Sequence, residues 1–359
     1  MKRWICLGFL LLALTGNARA AELPEDLTGA APEAAEELLE IGDLSGPGGF
    51  SQGLAGIAER ISREVKTVLR QRLRGAASIL LVAVACGAVD GFARGTGEGK
   101  AAAFLPMAGA LAVTLLTAGS LEDLIGLGAE TIRELNVFSK ALLPTLAAAT
   151  AASGAVTTAT FQQVTTVFLA DLLMELIDGL LIPLVYLYIG ALAAGACLPE
   201  NRLGAVAEAL KKIVTWLLTS SLLLFTVYLS TVRVVAGAAD GASVKVAKAA
   251  ISGAVPVVGG IIAEAAETVL AGAGMLKNTI GVFGMLAILA ACAYPFLQLG
   301  VQYLLYKLSA FLVAAVGAPE LCKLIDGLGG AFGLVLGMTG SCALLLLVSV
   351  LSSVAAVTP

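Results

Sequence analysis

Residues 251 to 284 read ISGAVPVVGGIIAEAAETVLAGAGMLKNTIGVFG, and this stretch decides the class of the fold. It is apolar and rich in small side chains, but helix-breaking and acidic residues interrupt it: Pro256, Gly259, Gly260, Glu264 and Glu267. A soluble helix carries more charge, and a plain membrane span has no use for these interruptions. Interrupted helices survive at membrane depth where protein or a water-filled cavity satisfies the freed backbone groups. The stretch therefore predicts a membrane protein with broken or re-entrant helices.

The composition of the whole chain points the same way. Of its 359 residues, 58% are hydrophobic and 13% are charged, and 41 are glycines. Soluble domains carry about twice that share of charge, whereas glycine-rich apolar runs suit closely packed membrane helices. The sequence therefore predicts an all-α, polytopic membrane protein with six to eight crossings.

The composition and the motifs also exclude several functions. The net charge of −4 argues against nucleic acid as a partner, because no basic domain exists to neutralise phosphates. The chain has no histidine, which removes the commonest general base and metal ligand. Neither a CxxC pair nor a GxxxxGK[ST] loop occurs. We therefore expect no enzyme, no catalytic residue, no metal and no cofactor.

The sequence divides into four parts. Residues 1–20 have the basic start, apolar core and Ala-Arg-Ala end of a signal peptide, with an uncleaved anchor as the alternative. Residues 21–49 form an acidic flexible linker, residues 50–75 a basic amphipathic helix, and residues 76–359 the polytopic domain. A basic cluster usually marks the cytoplasmic side. The signal peptide indicates the opposite side, and we follow the signal peptide.

The polytopic domain contains clear and ambiguous spans. The clear spans are 76–93, 101–119, 180–198, 213–235, 280–299 and 328–354. An amphipathic segment, 120–140, is expected outside the membrane, and segments 141–160 and 251–272 can either cross or re-enter. Re-entry of both places the basic loops around Arg94 and Lys211 on one cytoplasmic side, as the distribution of positive charge favours.

Two groups of carboxylates are candidate intramembrane polar sites. Asp171, Glu175 and Asp178 have i, i+4, i+7 spacing, which places them on one helix face. Glu264 and Glu267 follow the predicted helix break, where a helix N-terminus could hold an anion. Acids inside a bilayer usually mark an ion path or a water-filled cavity. The alternative for both groups is an interfacial helix with its acids in water.

A third candidate feature is a packing surface on the last span. Gly329, Gly333 and Gly337 are four residues apart, and such small-xxx-small spacing lets a neighbouring helix approach closely. We expect that neighbour to belong to the same chain.

The stretch SVKVAKAAISGAVPVVGGIIAEAAETVLAGAGMLKNTIGVFG at 243–284 closely resembles the stage III sporulation protein AE family. The likeness continues through YKLSAFLVAAVG at 306–317 and the glycine-rich last span, while the N-terminal third is similar mainly in layout. The resemblance implies a subunit of a complex in the mother-cell membrane around the forespore, together with a cytosolic ATPase and ring-forming membrane proteins. It implies a channel role and supplies no catalytic residues.

Three functions follow as hypotheses. The first is a non-enzymatic subunit of this sporulation transport complex, embedded in the lipid bilayer. The alternative is a stand-alone secondary transporter with its site at the broken helices. A purely structural scaffold is the third, and it would tolerate neutralisation of every intramembrane carboxylate.

Overall fold

The computed structural model describes residues 23–35, 49–95, 99–153, 166–197, 203–228, 258–316 and 318–355. In these ranges the regular elements are helices, and no strand is present. In chain order they are α1 (Glu25–Gly29), α2 (Gly49–Gly95), α3 (Gly99–Ala152), α4 (Val167–Leu176), α5 (Ile182–Cys197), α6 (Leu203–Tyr228), α7 (Val258–Val316) and α8 (Pro319–Ala355). A 3-10 turn (Glu33–Ala35) follows α1, and a π-turn (Ile177–Leu181) joins α4 to α5.

Six helical stretches in the described ranges are long and apolar enough to cross a membrane. They are α2, α3, α4 with α5, α6, α7 and α8. The prediction of an all-α, polytopic membrane protein is confirmed.

Helix α3 differs from the sequence prediction, because it is one helix of 54 residues. The expected span 101–119, the amphipathic segment 120–140 and the start of segment 141–160 all belong to it. Pro106 and Pro144 lie inside the helix without ending it. A proline removes one backbone hydrogen bond, and the neighbouring helices of a bundle tolerate that loss. No re-entrant turn therefore exists up to Ala152.

Helix α7 also corrects the prediction, since its 59 residues run without a turn from Val258. The expected re-entrant hairpin is therefore wrong for residues 258–284. Gly259 and Gly260 lie in the first turn and do not interrupt the helix. Glycine costs little there, because the first backbone N–H groups of a helix have no partner within it. Residues 251–257, with Pro256, lie outside the described ranges.

Helix α2 joins two segments that the sequence analysis treated separately. The basic segment 50–75 and the first span 76–93 lie in one helix of 47 residues, and nothing in the helix separates them. At about 1.5 Å per residue it is about 70 Å long, more than twice the apolar thickness of a bilayer. The predicted signal peptide, 1–20, lies outside the described ranges, and Leu27 of the linker is buried in the core.

The four longest helices form two hairpins that lie side by side in the same direction. Close approaches of glycines show this orientation: Gly53 meets Leu286 and Gly87 meets Val316 between α2 and α7, while Gly109 meets Leu321 and Gly128 meets Val335 between α3 and α8. The C-terminal ends of α2 and α7 and the N-terminal ends of α3 and α8 therefore lie at one end of the bundle. Helix α6 runs in the direction of α8, because Lys211 lies near Gly330 and Leu218 near Gly337. The N-terminal end of α6 thus lies at that same end, and Lys211 lies within α6 and not in the predicted loop.

Apolar packing holds the hairpins together. Phe138 contacts Phe283 edge-on with ring centres 6.4 Å apart, and Tyr306 contacts Phe332 in the same way at 5.1 Å. Such edge-to-face pairs add to the stabilisation from burial. They join α3 to α7 and α7 to α8.

The predicted glycine row on α8 faces two different helices of the chain. A Cβ atom at Gly329 would lie 3.0 Å from Tyr306 Cβ, and one at Gly333 would lie 3.0 Å from the Tyr303 ring, both on α7. A Cβ atom at Gly337 would meet only Leu218 of α6, at 3.8 Å. Close packing therefore depends on the first two glycines.

Candidate functional site

A charged groove lies where the second half of α3 runs antiparallel to α4. It has a volume of about 300 Å³ and an apolar floor that includes Met174. Its polar lining consists of Arg133, Asn136, Lys140, Asp171, Glu175 and Asp178. The three acids of the predicted stripe thus share one groove, and we call this set the charged groove.

Two ion pairs close the ends of the charged groove. Arg133 donates from Nε and from a terminal nitrogen to the two carboxylate oxygens of Asp178, each at 3.0 Å. Lys140 Nζ lies 2.8 Å from Asp171 Oδ1. Bidentate guanidinium–carboxylate pairs combine charge with fixed geometry, so they set the register between the helices. The charged groove therefore also fixes how α4 lies on α3.

Glu175 lies between these two pairs and has no ion pair or hydrogen bond to its side chain among the described residues. The paired side chains remain accessible, with exposed fractions from 32% for Asp178 to 58% for Arg133. The groove is therefore open at the surface of the bundle. It carries three acids against two bases, which leaves one negative charge uncompensated.

The π-turn begins beside Asp178, at Ile177. Such turns insert one extra residue into an α-helix and recur at functional positions. Here the turn separates the charged α4 from the apolar α5. Ile177 and Leu181 at its two ends are buried, while Asp178 points to Arg133. The turn thus lets Asp178 contact Arg133 of α3 while Ile177 and Leu181 stay buried.

The sequence analysis did not identify the basic partners of the stripe, although a signal was present. Arg133 and Lys140 are seven residues apart, as are Asp171 and Asp178. Residues seven apart lie on one face of a helix, and two such rows of opposite charge match on antiparallel helices. The remaining predicted acids, Glu264 and Glu267, lie near the start of α7.

A second polar group lies inside the bundle between α2, α3 and α7. Arg72 donates a hydrogen bond to Gln298 Oε1, and Gln302 Nε2 donates to Ser120 Oγ at 3.0 Å. Both glutamines are more than nine-tenths buried. Buried hydrogen bonds of this kind are costly to leave unmade, so they fix the relative positions of the two hairpins.

The described residues offer no obvious catalytic or metal-binding arrangement. No three carboxylate or thiol groups in these ranges converge as they would around a metal ion. The chain contains no histidine that could serve a nucleophile as a base. The side chains of the charged groove can bind and position charged groups.

Comparisons with known proteins give one family and one relative. The family model described as stage III sporulation protein AE matches residues 43–357. A protein of Bacillus subtilis (strain 168) named stage III sporulation protein AE is 26% identical over 216 residues. That match covers 60% of this chain and 54% of the relative, so it spans about half the length of the relative. No solved structure matches the chain.

Proposed function

Because the chain belongs to the stage III sporulation protein AE family, we propose that it is a non-enzymatic membrane subunit of a sporulation-specific transport or channel complex. The complex lies in the mother-cell membrane around the forespore and serves late forespore development. Its other subunits, a cytosolic ATPase and ring-forming membrane proteins, are the partners of this chain.

One observation carries this proposal. The family match spans residues 43–357, and the helical bundle occupies residues 49–355 of the same region. The matched region thus coincides with the membrane bundle. A bundle with an open charged groove, and with no catalytic arrangement in its described ranges, suits a subunit that binds partners or lines a path.

Within this proposal the charged groove is the contact for cargo or for a partner subunit. Its ion pairs hold α4 on α3, so Glu175 is the acid that remains able to bind a positive group. A carboxylate that has no internal partner gains more from an external cation than a paired one does.

The test is purification of the tagged chain from sporulating cells after chemical cross-linking. We expect the ATPase and the ring-forming proteins to co-purify, and a fluorescent fusion to surround the forespore. Recovery of the chain alone, with fluorescence spread evenly over the mother-cell membrane, would contradict the proposal.

The stand-alone transporter had its support in a broken helix around Pro256. Helix α7 is unbroken from Val258, so that support does not extend into the described ranges. Reconstitution distinguishes the two functions. A transporter moves its substrate across vesicles that contain this chain alone, whereas a complex subunit shows no flux without its partners.

A further inference from the structure

Another cavity in the described ranges is separate from the charged groove. It has a volume of about 810 Å³ and lies between the first turns of α3, α6 and α8 and the end of α5. The three helices begin at the same end of the bundle, so the cavity lies toward that end. Its volume lies within the range of about 300–1,000 Å³ that is usual for small-molecule sites.

The wall of this cavity carries charges of both signs. Asp326 is neutralised by Lys307, whose Nζ lies 2.5 Å from its carboxylate. The other four charged side chains on the wall have no ion pair or hydrogen bond to any residue that the structure describes: Glu208, Lys211, Glu320 and Lys323. Two free cations and two free anions in one cavity are suited to a ligand that carries both charges.

Glycine on α8 makes room for the polar groups of the wall. A Cβ atom at Gly330 would lie 3.2 Å from Tyr188 Oη and 3.3 Å from Lys211 Nζ. Tyr188 also donates a hydrogen bond of 2.8 Å to the carbonyl of Gly327, so its ring is fixed. The Lys211 ammonium group therefore lies close to α8 at Gly330 and has no ion pair with a described residue.

The rest of the wall is apolar, and the cavity borders a surface of lipid-facing character. Met107, Leu192 and Leu324 line it beside the charged groups. On α6, Trp216 is 68% exposed and follows Lys212, which is also exposed. Tryptophan and lysine are both enriched at the membrane–water interface, so this part of α6 suits the depth of lipid headgroups. Lys211, which lines the cavity, precedes both residues on α6.

We propose that this cavity binds the headgroup of a zwitterionic phospholipid that has a primary ammonium group, a phosphatidylethanolamine. The phosphate lies between Lys211 and Lys323, and the ammonium group donates to Glu208 and Glu320. The acyl chains extend over the exposed apolar surface of α5 and α6. Phosphatidylcholine presents no N–H donor to the carboxylates, and phosphatidylglycerol presents no cation.

The test is native mass spectrometry of the delipidated full chain in detergent, titrated with each of the three phospholipids. We expect phosphatidylethanolamine to bind about tenfold more tightly than the other two lipids. A difference in affinity of this size is what charge-assisted hydrogen bonds to the ammonium group contribute. Glu208→Gln with Glu320→Gln removes the preference over phosphatidylcholine, because these two carboxylates accept from the primary ammonium group. Lys211→Ala with Lys323→Ala weakens the binding of all three lipids, because the lysines hold the phosphate that all three carry. The matched control, Lys212→Ala, changes neither, because Lys212 is exposed and does not line the cavity.

Several results would overturn the proposal. The first is equal binding of phosphatidylethanolamine and phosphatidylcholine by the wild type, and the second is an unchanged preference in the variant that lacks both carboxylates. Displacement of the lipid by an equal concentration of free phosphoethanolamine would show a site for a soluble compound instead. If the variant that lacks both carboxylates does not fold, by circular dichroism, Glu208→Gln alone gives the answer. It retains both lysines and Glu320, and its preference for the ethanolamine lipid over the choline lipid is expected to be smaller than that of the wild type.

Discussion

Arg133 on α3 and Asp178 in the π-turn are joined by two hydrogen bonds of 3.0 Å, donated by Nε and by one terminal nitrogen of the guanidinium group. Seven residues further along α3, Lys140 pairs with Asp171, which lies seven residues before Asp178. The two helices are therefore held in register by charges at both ends of the groove. Each pair is half-exposed, so the register depends on geometry more than on the strength of either pair.

Reversal of one ion pair tests this register. Arg133→Asp places two acids opposite each other, and we expect it to lower the free energy of unfolding by about 1 kcal/mol, the upper range for exposed pairs. Arg133→Asp combined with Asp178→Arg should recover most of that loss. The measurement is thermal unfolding of the purified protein in detergent. A double variant no more stable than Arg133→Asp alone would contradict the register.

Neutralisation of the groove tests its role in the complex. Asp171→Asn with Glu175→Gln is expected to abolish the formation of heat-resistant spores while membrane insertion stays normal. The reason is that the groove loses its uncompensated negative charge. Glu122→Gln with Asp123→Asn is the control, because both acids are exposed on α3 outside the groove. Normal spore counts in the groove variant would favour the scaffold over the transport functions.

Two glycines on α3 provide a matched test of helix packing. A Cβ atom at Gly128 would lie 2.3 Å from Val335 Cγ1, and the stiff valine cannot rotate away. Gly128→Ala should therefore cost about 1–3 kcal/mol of unfolding free energy. Gly126 has open space around it, so Gly126→Ala should stabilise the helix by up to about 1 kcal/mol. Equal melting temperatures for the two variants would refute the close approach of α3 to α8.

The glycine row on α8 gives a second packing test. Gly329→Ala would press a methyl group against Tyr306 Cβ, which cannot move unless α7 moves with it. Gly337→Ala would make an ordinary contact with Leu218. We expect only Gly329→Ala to lower the melting temperature, because overpacking of this kind costs about 1–3 kcal/mol of unfolding free energy. Similar losses at both positions would mean that Gly337 also faces a close neighbour.

Removal of the partly buried Arg72 side chain tests the contact between the hairpins. Arg72→Ala leaves the carboxamide of Gln298 buried without its donor, at a cost of about 1–3 kcal/mol. Arg70→Ala is the matched control, since Arg70 is exposed on the same helix. Denaturation in detergent should separate the two variants clearly. If they melt together, Arg72 contributes only charge at the surface.

The sequence was sufficient for the fold class, because long apolar runs have few solutions in lipid. It also placed Asp171, Glu175 and Asp178 on one face, since helical spacing determines that directly. Element boundaries were less predictable. Proline and glycine were read as helix ends, but Pro144 and Gly259 lie within continuous helices. Their effect depends on neighbouring helices that a single sequence does not reveal.

The partners across helices were the part that the sequence could not provide. Arg133 is 45 residues from Asp178 along the chain, and Arg72 is 226 residues from Gln298. Such pairs depend on which helices become neighbours. The seven-residue spacing of the basic and acidic rows was a usable signal for the first pair. No comparable spacing in the sequence indicates the pair of Arg72 and Gln298. None indicates the cavity between α3, α5, α6 and α8 either.

The side-by-side hairpins have a consequence for biogenesis. Arg72 and Ser120 belong to the first hairpin, and their partners Gln298 and Gln302 belong to a helix that the ribosome makes well over a hundred residues later. During that interval the first hairpin is already complete, and Arg72 and Ser120 lack the hydrogen-bond partners that α7 provides. Insertion factors, lipid headgroups or water must shield them until α7 arrives. The membrane bundle is therefore completed late, when α7 and α8 dock against the polar side chains of the first hairpin.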